Sequence, residues 1–374
     1  MNEFTDKIIE MVKENRMTFA EFMDKALYDP EHGYYQKENP FGIQGSFYTS
    51  VDASSSFGRT ISDAMRDTVR RLSLPANFCE MGAGSGMLAC DVLDRVKEKD
   101  PDFYEGLSYT IIEKSAYLIE RQKEVLKEHE GHVKWIAFEE LNGFEGVFFS
   151  NELVDAFPVH RVIRINDELK ELFVIHHEGK LTFWPDDISD PAIKDYLDAI
   201  GLRVAEGQIV EINLNMLEWQ KQLASKISRG VVFTVDYGYP AEQLFESWRR
   251  DGTVTCYFKH TQNNDFFERV GYQDITAFVD FTSLENAGKD NGLEPAALLP
   301  QWLFLVQAGI LGEIENAGTD LEKASIKSLI MPEGGFGQNF FVLVQHKGVE
   351  LDDDFPFTQK AGKTFDEMLK RMGG

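Results

Sequence analysis

Three glycines at alternate positions, Gly82, Gly84 and Gly86, follow the run Asn77-Phe78-Cys79-Glu80-Met81 and precede a helical pattern. Leu88, Val92, Leu93 and Val96 then recur at helical spacing. A strand that turns through glycines into a helix is the joint of a βα unit, which commits the chain to an α/β architecture. Glycine lets the backbone take positive φ and lets a ligand press against the main chain. The unclaimed N–H groups at the start of the helix point at such a ligand. The turn is expected to hold a nucleotide or nucleoside.

From residue 76 onward strand and helix patterns alternate, the mark of a parallel sheet with crossover helices. Strands are expected at 78–81, 109–112, 146–149, 231–235 and 340–345, mostly apolar as befits strands buried on both faces. Residues 159–184 alternate and are broken at Asn166-Asp167 and Glu178-Gly179, which predicts an inserted antiparallel hairpin or small sheet. Helices are expected at 191–202, 214–227, 283–288, 300–311 and 320–330. Before the sheet, residues 5–15 and 18–27 read as amphipathic helices, the second opened by a Thr18/Glu21 capping box. The division expected is a helical and lid region at 1–60, a core domain at 61–348 with insertions at about 159–229 and 240–290, and a tail at 349–374.

The chain has 374 residues and a net charge of −25. Such a balance argues against a nucleic-acid surface, which needs a basic footprint. It fits either a well-solvated acidic exterior or a site that attracts a cation. Cys79, Cys90 and Cys256 form neither a metal-ligand spacing nor a disulfide framework. No apolar run reaches the ~18 residues of a membrane helix. The first residues mix acids and bases, unlike a signal or transit peptide. A cytoplasmic location without membrane insertion is the expectation.

The ligand of the glycine turn can be narrowed. A dinucleotide turn would place a small residue where Met87 stands, and a phosphate loop would carry a lysine. A pyrophosphate would sit poorly beside Glu80. S-adenosylmethionine has a cationic end and no phosphate, so Glu80 favours it. Glu113, at the end of the 109–112 strand, can accept both ribose hydroxyls.

Further polar residues follow other strand ends. Ser150-Asn151-Glu152-Leu153-Val154-Asp155 lies just beyond the third strand, where open α/β sheets place their sites. If this segment turns helically, the carboxylates of Glu152 and Asp155 point the same way and could grip a guanidinium. The structural alternative has Asp155 capping a helix and Glu152 pairing with Arg161 or Arg164. Asp236 ends the fourth strand, and His260 follows in a turn-rich excursion.

These residues, together with Leu27-Tyr28, Gly33-Tyr34-Tyr35, Phe47-Tyr48-Thr49-Ser50 and Gln273-Asp274-Ile275-Thr276, give a chain that resembles the MidA-like methyltransferases from about residue 18 to 348. The resemblance implies a class I, Rossmann-like methyltransferase fold with a mainly parallel seven-stranded sheet, and S-adenosyl-L-methionine as cofactor. Mitochondrial members assist assembly of respiratory complex I, which implies a protein partner with a target arginine. A homodimer is a further expectation. On this reading Glu80, Gly82, Gly84, Gly86 and Glu113 bind cofactor, Asn151, Glu152 and Asp155 are catalytic, and Tyr48, Asp236 and His260 meet the substrate. The chain departs from the family at Ser46, where an aspartate is usual, and at 335–340. Rival readings are a non-catalytic assembly protein, a small-molecule methyltransferase with 28–50 as lid, and a nicotinamide-dependent oxidoreductase.

Overall fold

The computed structural model describes residues 3–36, 51, 54–331, 339–352, 354–361 and 363. Tyr48, the 45–50 lid segment, 335–338 and the tail from 364 lie outside the described residues. In chain order the strands are β1 Met17–Thr18, β2 Asn77–Met81, β3 Ser108–Ile112, β4 Val133–Ile136, β5 Phe144–Asn151, β6 His160–Ile165, β7 Glu168–His177 and β8 Lys180–Asp186. They continue with β9 Ile209–Ile212, β10 Ile227–Tyr239, β11 Thr255–Phe258, β12 Thr261–Asn263, β13 Asp274–Thr276, β14 Val279–Asp280, β15 Glu294–Pro300 and β16 Phe340–Lys347. The chain divides into two compact units, each discontinuous in sequence.

The parallel-sheet unit comprises Thr49–Leu153, Lys221–Tyr237 and Glu285–Gly374. Its seven strands run in the order β15-β16-β10-β5-β2-β3-β4. Strands β4, β3, β2, β5 and β10 are parallel neighbours, and β16 is antiparallel to both β10 and β15. The mainly parallel seven-stranded sheet is therefore present. Phe78, Cys79, Val147, Phe148, Val232 and Phe233 are all fully buried, as strands covered on both faces require. Strand order reverses at β2, flanked by β3 on one side and β5 on the other, and such a switch point opens a crevice at the strands' carboxyl ends.

Several elements depart from the sequence reading, and two of them have a plain physical cause. Residues 294–300, bounded by Pro295 and Pro300, give no strand signal, yet they form edge strand β15 against β16. An edge is where a strand tolerates proline. The helix expected over 300–311 splits into Gln301–Gln307 and Ile310–Asn316, because Gly309 takes φ +99° between them.

The antiparallel unit comprises Met1–Tyr48, Val154–Gln220 and Gly238–Leu284. One sheet runs β1-β7-β6-β9 with β8 on β7, and a second runs β12-β11-β13. The expected breaks are its hairpin turns: Asn166 and Asp167 have φ of 51° and 66°, and Glu178 and Gly179 have 49° and 82°. Positive φ at both centres matches the twist of the flanking strands. The Thr18/Glu21 capping box forms and starts helix Phe19–Tyr28. That helix and Glu3–Glu14 bury Phe4, Ile8, Phe19 and Phe22 in a core shared with Val174, Cys256 and Ile275. Among the described residues no helix is long and apolar enough to cross a membrane.

Close backbone approach fixes the centre of the parallel sheet. Gly146 of β5 and Gly230 of β10 are register partners. A Cβ on Gly230 would lie 2.0 Å from the Gly146 carbonyl oxygen, and one on Gly146 would lie 2.2 Å from that of Asn77. Because backbone cannot swing aside like a side chain, Gly230→Ala should destabilise the protein by about 1–3 kcal/mol. Gly131→Ala, whose Cβ would meet nothing within 4 Å, serves as the near-neutral control. Chemical denaturation compares the two, and equal stability would contradict the packing.

Candidate active site

The parallel-sheet unit holds the glycine turn at its switch point. Gly82, Gly84 and Gly86 have φ of 77°, 51° and 83°, so every second residue occupies the left-handed region open to glycine. A Cβ on Gly82 would also approach Leu153 to 2.9 Å, and one on Gly86 would approach Gln122 to 3.1 Å. The turn is closed by Gly82 N–H donating to the Ile112 carbonyl at 3.0 Å and Gly86 N–H to that of Ala83 at 2.8 Å. Gly86 is the N-cap of helix Met87–Lys99 and offers no side-chain cap, so the first-turn N–H groups are left to a ligand.

Glu113 follows β3. Its Oε1 accepts the backbone N–H of Lys114 at 2.8 Å and of Ser115 at 2.9 Å, which fixes the carboxylate. Burial raises its pKa, and the Ser115 and Lys114 N–H groups oppose that. Gln122, fully buried, ties the region together. Its Nε2 donates to the Gly84 carbonyl at 2.9 Å and to Glu113 Oε2 at 3.3 Å, and its Oε1 accepts from Trp135 at 2.9 Å. Sequence reasoning missed this residue; the one signal is its helical i+4 spacing from buried Leu118. Glu80, 2% exposed, accepts the Tyr109 hydroxyl at 2.6 Å. Burial pushes its pKa up to about 7, against the Tyr109 bond and with help from Glu113.

The segment after β5 is not helical, so the condition under which Glu152 and Asp155 would point the same way is not met. Glu152 takes φ +50° and donates its N–H to Val235 at 2.9 Å, continuing the ladder instead of starting a turn of helix. Asn151 Nδ2 donates to Glu152 Oε1 at 3.2 Å. Glu152 belongs to the parallel-sheet unit, whereas Asp155 belongs to the antiparallel one. Asp236, fully buried at the end of β10, accepts the Tyr237 N–H at 2.9 Å. Arg161 and Arg164, the alternative partners of Glu152, donate instead to Glu211 at 3.1 Å and Asp167 at 3.3 Å. His260 sits exposed at the tip of the β11–β12 hairpin, φ +61°.

The antiparallel unit gathers residues that the sequence reading left scattered. Asp274 of β13, 3% exposed, accepts the Tyr35 hydroxyl at 2.9 Å and the Ile275 N–H at 3.0 Å. Asp155 is equally buried, and its carbonyl accepts the Ala277 N–H at 2.9 Å. Burial first, and then the charge of Asp155, push the Asp274 pKa up to about 7. Tyr28 donates to the Ala156 carbonyl at 2.9 Å and lies 5.4 Å from the Tyr35 ring. Asp280, by contrast, caps the helix that follows and accepts from Tyr196 at 2.8 Å, a structural role. In the parallel-sheet unit Cys90, Asp94 and His129 approach within metal-ligating distance, which sequence spacing could not show. His129 Nε2 already bonds Asp94 there and its Nδ1 the Tyr104 hydroxyl.

Between about pH 4 and 7 the folded protein keeps protons on Asp274 and Glu80 that the unfolded chain releases, since both pKa values are raised from 3.8 and 4.5. A folded state that binds more protons loses stability as pH rises. Thermal melts should therefore decline from about pH 5 to about pH 8. Asp274→Asn should flatten that decline and raise Tm at the alkaline end by a few degrees, roughly; a variant with the parent's slope would contradict the assignment.

Comparison with known proteins agrees with this geometry. Residues 60–298 match the family model described as S-adenosyl-L-methionine-dependent methyltransferase. A Danio rerio protein named protein arginine methyltransferase NDUFAF7, mitochondrial, is 27% identical over 308 residues, 73% of this chain and 69% of its own length. The Homo sapiens protein of the same name is 24% identical over 383 residues, covering 89% and 81%. A solved Burkholderia thailandensis protein bound to S-adenosyl-homocysteine superposes with a TM-score of 0.85 at 25% identity, covering 95% of this chain and 94% of that one. The expectation of a cytoplasmic location is corrected here, because the curated relatives are mitochondrial. Free thiols and an acidic composition describe a mitochondrial protein as well as a cytoplasmic one, so they could not decide. The residues fit the cofactor: a glycine turn with open N–H groups, a carboxylate fixed at the next strand end, and no lysine for a phosphate. The chain belongs to this family of S-adenosyl-L-methionine-dependent methyltransferases, enzymes whose methyl donor is S-adenosylmethionine.

Proposed function

We propose that the chain methylates an arginine side chain of a partner protein. The observation that carries the reading is the pair of buried carboxylates, Asp155 and Asp274, in a protein whose relatives are named protein arginine methyltransferases. Those names and the notable acidity together favour a cationic acceptor. A respiratory complex I subunit is the finer form of the proposal, with a role in its assembly, and a homodimer is the proposed assembly.

S-adenosylmethionine supplies a methyl group on a sulfonium. The chain's own residues then bind and align. Gly82, Gly84 and Gly86 would let the backbone and the N–H groups of helix Met87–Lys99 meet the methionine part of the cofactor. Glu80 would face the cationic side of the bound cofactor, and Glu113, its carboxylate already oriented by two N–H donors, would take the ribose hydroxyls. Asn151, Glu152 and Asp155 are the proposed catalytic residues, and the Glu152 carboxylate would receive the proton that the acceptor nitrogen gives up. Asp236, Tyr48 and His260 are the residues proposed to meet the substrate. Methyl transfer is an in-line displacement, so its rate depends mainly on alignment and on charges placed before reaction.

Incubating full-length protein with labelled S-adenosylmethionine and cell extract, followed by mass spectrometry, should find methylarginine in a protein. A small labelled product would instead identify a small-molecule methyltransferase. Glu113→Ala should weaken cofactor binding at least about tenfold by calorimetry, and Glu152→Gln should abolish transfer with binding intact. Unchanged affinity in Glu113→Ala would remove its ribose role.

A further inference from the structure

Strand β13 carries polar atoms that no described residue satisfies. Side chains two apart on a strand share a face, so Asp274 and Thr276 point the same way. Both hydrogen bonds to Asp274, from Tyr35 and from the Ile275 N–H, fall on Oδ1. Its Oδ2 accepts none from the described residues. Thr276, 1% exposed, has an Oγ1 that is buried and likewise without a partner. The charge that acts on Asp274 is that of Asp155, and it is of the same sign. No lysine, arginine or histidine among the described residues forms an ion pair with Asp274. Buried polar groups are nearly always bonded, and two like carboxylates are favoured together when a cation joins them.

We propose that Asp274, Thr276 and Asp155 form the pocket that recognises the guanidinium of the arginine to be methylated. The inference rests on the arginine reading above and adds the residues that select the acceptor. Positions two apart on a strand are separated by roughly 6.8 Å, a span that suits a planar fork of five N–H donors better than the point charge of an ammonium. Two carboxylates are too few for a calcium cage. Tyr35 fixes Oδ1 and so turns Oδ2 outward to the ligand. Asp274 held near neutrality in the empty protein would ionise when the cation arrives, which couples recognition to charge.

The test uses the full chain with N-acetyl-arginine amide as probe, against N-acetyl-lysine amide and the neutral isostere N-acetyl-citrulline amide. Calorimetry or NMR titration should show the arginine probe binding at least about tenfold tighter than either. Asp274→Asn should lose at least about tenfold in that affinity and Thr276→Val several-fold, with S-adenosyl-homocysteine affinity unchanged in both. Asp274→Asn removes a buried like charge and so should fold; if it does not, Thr276→Val decides. Equal probe affinity in the folded variants, no probe binding by the parent, or a lysine preference overturns the pocket. Failure of the two readings can be told apart. Methylarginine formed with an unchanged KM in Asp274→Asn removes the pocket alone. Probe binding lost in Asp274→Asn, with no arginine methylated by the parent, removes the transfer reading alone.

Discussion

The parallel register of β2, β3, β5 and β10 is the constraint on which the rest depends. Met81 pairs with Ile112 and with Ser150, and Ser150 pairs with Thr234. The residues just beyond those positions are Gly82, Glu113, Asn151 with Glu152, and Asp236. One register therefore delivers four different strand ends to a single row, and a slip of one residue would turn each side chain to the opposite face. The Gly146–Gly230 contact holds that register, because strands approaching this closely leave no room for an alternative pairing with a Cβ.

Electrostatics divides the acids of this chain into two populations. Most of the 63 acidic residues keep the surface charged and solvated. Others are withdrawn from water, and raised pKa values express the desolvation, as at Glu80 beside Tyr109 and at Asp274 beside Tyr35 and Asp155. Each has a tyrosine hydroxyl as its fixed neighbour, a donor that steadies the carboxylate without cancelling its charge as an arginine would. Such groups remain responsive to an incoming cation.

Much of the architecture was legible because it is written in local patterns. Apolar runs marked the buried parallel strands, Asn166-Asp167 and Glu178-Gly179 marked hairpin turns, and Thr18 with Glu21 marked a helix start. What escaped depends on tertiary context. Strand β15 exists because β16 offers it an edge, which prolines within 294–300 do not announce. The segment after β5 fails to turn helically because Glu152 is drawn into the ladder with Val235. Gln122 and Asp274 gain their meaning from partners 38 and 239 residues away in sequence, Gly84 and Tyr35. The glycine turn and Glu113 could be read since both sit at strand ends, whereas the grouping of Tyr35, Asp155 and Asp274 appears only after folding.

The antiparallel unit is assembled from three stretches of chain separated by parts of the other unit. Met17 in β1 finds its partner Val174 across more than a third of the molecule, and Tyr35 waits for Asp274. During synthesis the first segment leaves the ribosome long before its partners exist, and its amphipathic helices must stay uncovered meanwhile. Contacts of such sequence separation form slowly and expose apolar surface while they form. The grouping of Tyr35, Asp155 and Asp274 can therefore form only after about three-quarters of the chain has been translated.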